Sequence, residues 1–254
     1  MFSECLNLFL RKISEGDINA AALAFEEEFK DEQHKNIARN LKIICQSQLI
    51  RQRQSKLSGL NLLRNSGFRP ELVLDVGAQV GTPELYTVFP DSHHIFVEPV
   101  VEWIPSLEKI AQTLRSAEVI NCGVSDFNGV TRLNVSPSRQ YASIAPDCNM
   151  LGAEDREIQV RTVNAIVENL DISKPILLKI DVDGLELKVL DGARSVLEQN
   201  TVIIIEATLY ADGDSRINSI IQYLNSFNYK VYDIVDHLYQ ENYDLWQVDL
   251  ILRK

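Results

Sequence analysis

Residues 72–81 read Leu72-Val73-Leu74-Asp75-Val76-Gly77-Ala78-Gln79-Val80-Gly81. A short aliphatic run leading into a turn with two glycines is the pattern of a buried strand that hands the chain to a helix. Glycine lets the backbone pass close to a ligand at the carboxyl end of a strand, where open α/β sheets bind their ligands. Alone, the turn reads equally as a tight connection with no ligand.

Runs of the same texture flank it. His94-Ile95-Phe96-Val97-Glu98, Val119-Ile120-Asn121-Cys122, Ile176-Leu177-Leu178-Lys179-Ile180 and Thr201-Val202-Ile203-Ile204-Ile205 read as strands buried on both faces. Helical periodicity fills the gaps over 102–114, 185–197 and 217–227, so a parallel sheet covered by helices is predicted. The last two apolar runs, 230–234 and 247–252, lie only about a dozen residues apart, too few for a parallel crossover, so the sheet is predicted to finish with an antiparallel strand. Residues 1–66 form stripes at helical spacing, such as Phe2, Cys5, Phe9 and Ile13, and are predicted to be a helical N-terminal extension to a domain at 67–254. Its apolar faces are expected to pack on the main domain or to join copies of the chain as a homo-oligomer.

Composition narrows the function classes. The 254 residues carry 25 Lys and Arg against 36 Asp and Glu, a formal charge of −11, which opposes binding to nucleic acid. The short basic segment Arg51-Gln52-Arg53-Gln54-Ser55-Lys56 reads as a solvated helix face. Four cysteines without CxxC spacing suit free thiols and a cytoplasmic location. No apolar run reaches the length of a membrane span, and the Leu8-Phe9-Leu10 run lacks the basic segment and cleavage site of a secretory leader.

Two acids point the glycine turn toward a ligand. Glu98 closes the next strand 21 residues beyond Gly77, where an acid accepts hydrogen bonds from ribose hydroxyls. Asp75, two residues before Gly77, would repel the pyrophosphate of a dinucleotide but suits the ammonium and sulfonium of S-adenosylmethionine. The third glycine of the dinucleotide fingerprint is also missing. A methyl donor is therefore favoured over a nicotinamide cofactor. Gly77, Ala78, Gln79 and Gly81 of the turn, with Asp75, Glu98 and Pro99, form the candidate donor site.

The segment 67–254 resembles the FkbM family of S-adenosylmethionine-dependent methyltransferases. The resemblance rests on Gly67-Phe68-Arg69-Pro70, Asp75-Val76-Gly77-Ala78, Phe89-Pro90, Glu98-Pro99 and Val124-Ser125-Asp126. The segments Lys179-Ile180-Asp181-Val182-Asp183-Gly184-Leu185-Glu186 and Val189-Leu190-Asp191-Gly192-Ala193 are the most diagnostic. It implies a class I, Rossmann-like, seven-stranded sheet and O-methylation of a hydroxyl on a sugar, glycoconjugate or natural product. Gln79, Asp183 and Asn164 stand where the family usually has Asn, Glu and Asp; the last change removes a charge. In this fold Ser125 and Asp126 would flank the adenine, unless Asp126 only caps a helix.

Lys179 interrupts a buried strand and needs a partner, for which Glu206 on the adjacent strand is the expectation. Asp181, Asp183 and Glu186 should face the acceptor at the carboxyl edge. Asp181 is the leading candidate for the base or the group that orients the hydroxyl, with His237 as the secondary candidate. Glu186 reads as well as an acid stabilised by a helix N-terminus. Glu206 and Tyr210 are further acceptor contacts, and Tyr141 and Ser143 weaker ones. A divalent metal held by Asp181 and Glu206 is an alternative that the resemblance does not require. The rival functions are a nicotinamide-dependent oxidoreductase and a non-catalytic module that has kept the fold for binding. His93 and His94, adjacent on a strand, should face opposite ways as surface or strand-entry residues and not share a metal.

Overall fold

A computed structural model describes residues 54–139, 141–144, 152–209 and 216–254. The stripes read over 1–53 and Tyr210 lie outside the described residues. The chain divides into two compact units, 1–68 and 69–254. In the first, helix α1 (Lys56–Asn65) starts at a reciprocal capping box between Ser55 and Ser58.

The second unit holds a seven-stranded sheet. Its strands are β1 (Leu72–Val76), β2 (His93–Val97), β3 (Ala117–Ile120), β8 (Ile176–Ile180), β9 (Thr201–Thr208), β10 (Lys230–Tyr239) and β11 (Leu245–Arg253). The order is β10-β11-β9-β8-β1-β2-β3, with β1, β2, β3, β8 and β9 parallel to one another. The final strand β11 is antiparallel, as expected, but it inserts between β9 and β10 and pairs with both. This is the class I methyltransferase topology. Helices α2 (Pro83–Val88), α3 (Ile104–Ala111), α4 (Val163–Ile166), α5 (Glu186–Asp191), α6 (Arg194–Leu197) and α7 (Arg216–Asn225) connect the strands. Among the described residues no helix is long and apolar enough to cross a membrane.

One face of the sheet, carrying Leu74, Val76, Leu178, Ile180, Ile203 and Ile205, packs against Val189, Val196, Ile220 and Leu224 of the helices. The helix read as continuous over 185–197 breaks at Gly192-Ala193. A Cβ on Gly192 would stand 2.3 Å from the Ser125 carbonyl oxygen, so the chain turns where the loop after β3 crosses it. Asn164 supports the restart: its Oδ1 accepts from Ser195 N (3.2 Å) and Oγ (2.6 Å). That capping role needs an oxygen but no charge, which accounts for Asn in place of Asp.

A second sheet, order β4-β7-β5-β6, has no counterpart in the sequence reading. It comprises β4 (Gly123–Val124), β5 (Gly129–Val135), β6 (Ala142–Ser143) and β7 (Glu154–Arg161). Leu133 and Val135 pack with Val100, Trp103, Ile144 and Ile158 into a small core beside β2. Glu102, Arg139, Glu154 and Arg156 lace its rim, with Arg156 to Glu102 contacts of 2.6 Å and Arg139 Nε to Glu102 at 3.0 Å. The Arg156 hydrogen bonds hold the Glu102 carboxyl down to about 2.

The turn after β1 is fixed by a backbone contact. Gly77 has φ +73°, and a Cβ there would lie 1.8 Å from the Asp181 carbonyl oxygen. Gly77→Ala should therefore destabilise the protein by roughly 2–4 kcal/mol, from the left-handed conformation plus overpacking, read as a lower midpoint in denaturant.

Candidate active site

A cleft of about 360 Å³ opens at the carboxyl edge of the large sheet, within the range of small-molecule sites. The turn after β1, the end of β2, the loop after β3, the end of β8, β9, the second sheet and the β10–β11 hairpin all contribute to its wall.

At one end Glu98 is 4% exposed and held from both sides. Its Oε2 accepts from Gln79 N and its Oε1 from Val100 N, each at 2.8 Å. Burial pushes its carboxyl up, while the two backbone bonds and Lys179 oppose the shift. Each oxygen keeps a lone pair for a further donor, so the group suits a vicinal diol such as ribose. Asn121 Nδ2 donates to the Glu98 and Pro99 carbonyls (2.8 and 3.1 Å), fixing this corner. Gln79 tolerates φ +46° to bring its N–H to Glu98.

Predicted donor-site residues divide on inspection. Gly77, Gln79, Glu98 and Pro99 line the cleft, as do Cys122, Gly123 and Val124. Ala78 is buried against Phe96 and Leu107, and Gly81 sits against Ile110, both behind the wall. Ser125 is 1% exposed and bonds Asp126 (3.0 Å); neither lines the cleft, whereas Cys122, Gly123 and Val124 just before them do. Burial pushes the Cys122 thiol up to about 11, so it stays a neutral part of the wall.

Asp75 is not on the wall either. It faces Lys179, its register partner on β8, with Nζ 3.0 Å from Oδ1. Nζ also stands 3.2 Å from Asp181 Oδ2 and donates to the Gly77 carbonyl at 2.9 Å. Thus Lys179 pairs with Asp75 and Asp181, where the sequence suggested Glu206. Register decides this, because β8 lies between β1 and β9 and Lys179 is opposite Asp75 on one side and Ile204 on the other. Burial works against the ammonium, but the two carboxylates more than offset it and its affinity for the proton rises.

At the other end of the cleft Asp181, Asp183 and Glu206 come together. Partial desolvation, then Asp181 and Glu186, push Asp183 up to about 6, tempered by water because the side chain is exposed. The Ala142 N–H and Arg216 oppose that rise. Arg216 lies against Gly184 and escaped the sequence reading, since α7 shows only an apolar stripe. Burial first, then Asp181, Asp249 and Asp183, push Glu206 up to about 8, with Lys179 opposing. Glu186 instead turns back to accept from Gly184 N at 2.8 Å, a local cap away from the wall. Among the described residues no group of three or more His, Cys, Asp or Glu side chains is placed to hold a metal ion.

His237 is exposed on β10, not in a loop, and its neighbour Leu238 lines the cleft. His94 is buried, with Nε2 2.9 Å from the Phe89 carbonyl, and is no surface residue; His93 bonds Ser116 Oγ at 2.8 Å. Tyr141 lines the cleft, whereas Ser143 is buried in β6. Trp103, Arg139 and Trp246 also line it and were missed. Trp103 falls in the 102–114 stretch, where the pattern predicts only a helix, and its indole N–H donates to the Arg139 carbonyl at 3.1 Å.

No curated protein matches the sequence. Among solved structures the chain is similar to precorrin-6y C5,15-methyltransferase from Geobacter metallireducens, with 12% identity and a TM-score of 0.43 over 77% of this chain and 85% of that one. It is also similar to Burkholderia thailandensis 1,6-didemethyltoxoflavin-N1-methyltransferase bound to S-adenosylhomocysteine (15%, TM-score 0.42, 77% and 76%). Aeropyrum pernix fibrillarin with S-adenosyl-L-methionine is a third (14%, TM-score 0.44, 77% and 74%). The methyltransferase FkbM domain matches residues 75–231, well over half of the chain, around the same β1 turn, Glu98 and β8 edge that build the cleft. The chain therefore belongs to the FkbM methyltransferase family, whose members are S-adenosylmethionine-dependent methyltransferases.

Proposed function

We propose that the protein methylates a hydroxyl of a small acceptor, with a sugar, glycoconjugate or hydroxylated natural product as the class. The observation that carries this reading is one cleft that holds both a carboxylate suited to a ribose diol and a group of acids, and is also lined by Trp103, Tyr141 and Trp246. S-adenosylmethionine supplies a methyl group on a sulfonium, already a strong electrophile, so the protein has to position the acceptor and accept its proton. Glu98 and the Gln79 turn hold the nucleoside end, and Cys122 to Val124 form the wall beside it. Asp181, at the acidic end, orients the acceptor hydroxyl. Trp103, Tyr141 and Trp246 offer flat apolar faces to a ring, and the carboxylates accept from its hydroxyls. A nicotinamide dinucleotide fits less well, since its pyrophosphate would meet the acidic β8 edge.

Thermal melting tests the donor site. S-adenosylhomocysteine should raise the melting temperature by mass action, NAD and NADP should not, and Glu98→Ala should weaken binding by about 1–3 kcal/mol. Stabilisation by NAD alone would overturn the reading. With an accepted substrate, Asp181→Asn should leave donor affinity nearly unchanged and lower turnover about 10²-fold, the scale of losing alignment at the reacting atoms. Near-native turnover would remove Asp181 from the site. Absence of transfer across a broad panel of hydroxylated acceptors would favour a binding module.

A further inference from the structure

The acids at the β8 edge are not equivalent. Ile205 is the register partner of Ile180, so Glu206 follows on β9 beside Asp181 at the same edge. Across β11 its partner is Asp249. From β8 come Asp181 and Lys179, from the next turn Asp183, and from α7 Arg216 beside Asp183. Lys179 is committed to Asp75, Asp181 and the Gly77 carbonyl. Among the described residues Glu206 makes no hydrogen bond or ion pair of its own, yet it lines the cleft. Unlike Asp181, it faces the cleft without a cation held against it.

We propose that Glu206 is the proton acceptor of methyl transfer, and that it changes state with the charge of the donor: a carboxylic acid in the empty cleft, a carboxylate when the cationic donor is bound. The inference rests on the S-adenosylmethionine-dependent O-methylation proposed above. Burial and the carboxylates of Asp181, Asp249 and Asp183 favour the protonated form in the empty protein. A positive charge in the same cleft favours the ionised form, and the proton leaves to solvent. In the reaction, the acceptor oxygen bonds the methyl carbon as the carbon–sulfur bond breaks, its electron pair remaining on sulfur. The hydroxyl proton passes to the Glu206 carboxylate. Sulfur and Glu206 both end neutral, so the proton transferred matches the charge lost from the donor.

The test needs no acceptor. Calorimetric titration at pH 7, in buffers of different ionisation enthalpy, should show release of up to about one proton when S-adenosylmethionine binds and markedly less for S-adenosylhomocysteine. Glu206→Gln should still bind the donor and abolish the difference. The empty protein supplies a second readout. Glu206 binds its proton more tightly folded than unfolded, so its contribution is complete below the usual 4.5 and is lost as pH rises through about 8. Asp183 adds a similar decline ending near 6, so the comparison is made above that pH. There, Glu206→Gln should flatten the fall in melting temperature. Should that variant not fold, the infrared difference between the two wild-type complexes keeps the test. A protonated carboxyl band should be present with S-adenosylhomocysteine, absent with S-adenosylmethionine, and shifted in Glu206→Asp. Equal proton release by both ligands, or unchanged release in Glu206→Gln, would overturn the proposal and leave the methyltransferase reading standing. Failure of both ligands to bind would overturn both.

Discussion

The buried ammonium of Lys179 is the contact on which the site depends. It joins β1 to β8 through Asp75, tethers the Gly77 turn by its carbonyl, and holds Asp181 at the sheet edge. A charge this far from water persists only because its partners surround it, and removing one partner of such a group typically costs about 3–5 kcal/mol. The same three contacts set the geometry of the wall, since the Gly77 turn and the Asp181 carbonyl are in direct backbone contact. Fold stability and site shape are thus one constraint at this edge.

Charge is sorted by place along that edge. The Glu98 end has one carboxylate, occupied by two backbone N–H groups. The other end gathers Asp181, Asp183 and Glu206 around a single ammonium that is already shared. Such a concentration of partly desolvated acid is unfavourable in an empty protein, and protonation relieves it. A cationic ligand relieves it equally well.

The second sheet turns an open sheet edge into a cleft. Its small core packs against Val100 and Trp103 just after Glu98, and its charged rim ties Glu102 to Arg139 and Arg156. Exposed ion pairs of this kind add little stability singly, but here they cross-link a loop to two elements and so orient the Arg139 segment. Trp103, Tyr141 and Ala142 reach the cleft through this arrangement. On the opposite side, Leu238 and Trp246 arrive on the β10–β11 hairpin.

The sequence by itself determined the parallel sheet, the antiparallel last strand, the Gly77 turn and Glu98 at the end of β2. These follow from local patterns, because an apolar strand, a glycine turn and a closing acid are each legible within a few residues. The second sheet was harder to read: β5 has apolar residues only at Val130, Leu133 and Val135 and β7 only at Ile158 and Val160, with polar and charged residues between them. What only the tertiary structure decided was partnership. Lys179 belongs to Asp75 and Asp181 because β8 lies beside β1, and Glu206 is left beside Asp249 because β11 inserts next to β9. Asp75, in a position that reads as part of the ligand turn, becomes an internal counter-ion, and Ser125 is buried away from the cleft. Strand order and register set which charges meet across distances of a hundred residues, and no local pattern encodes that.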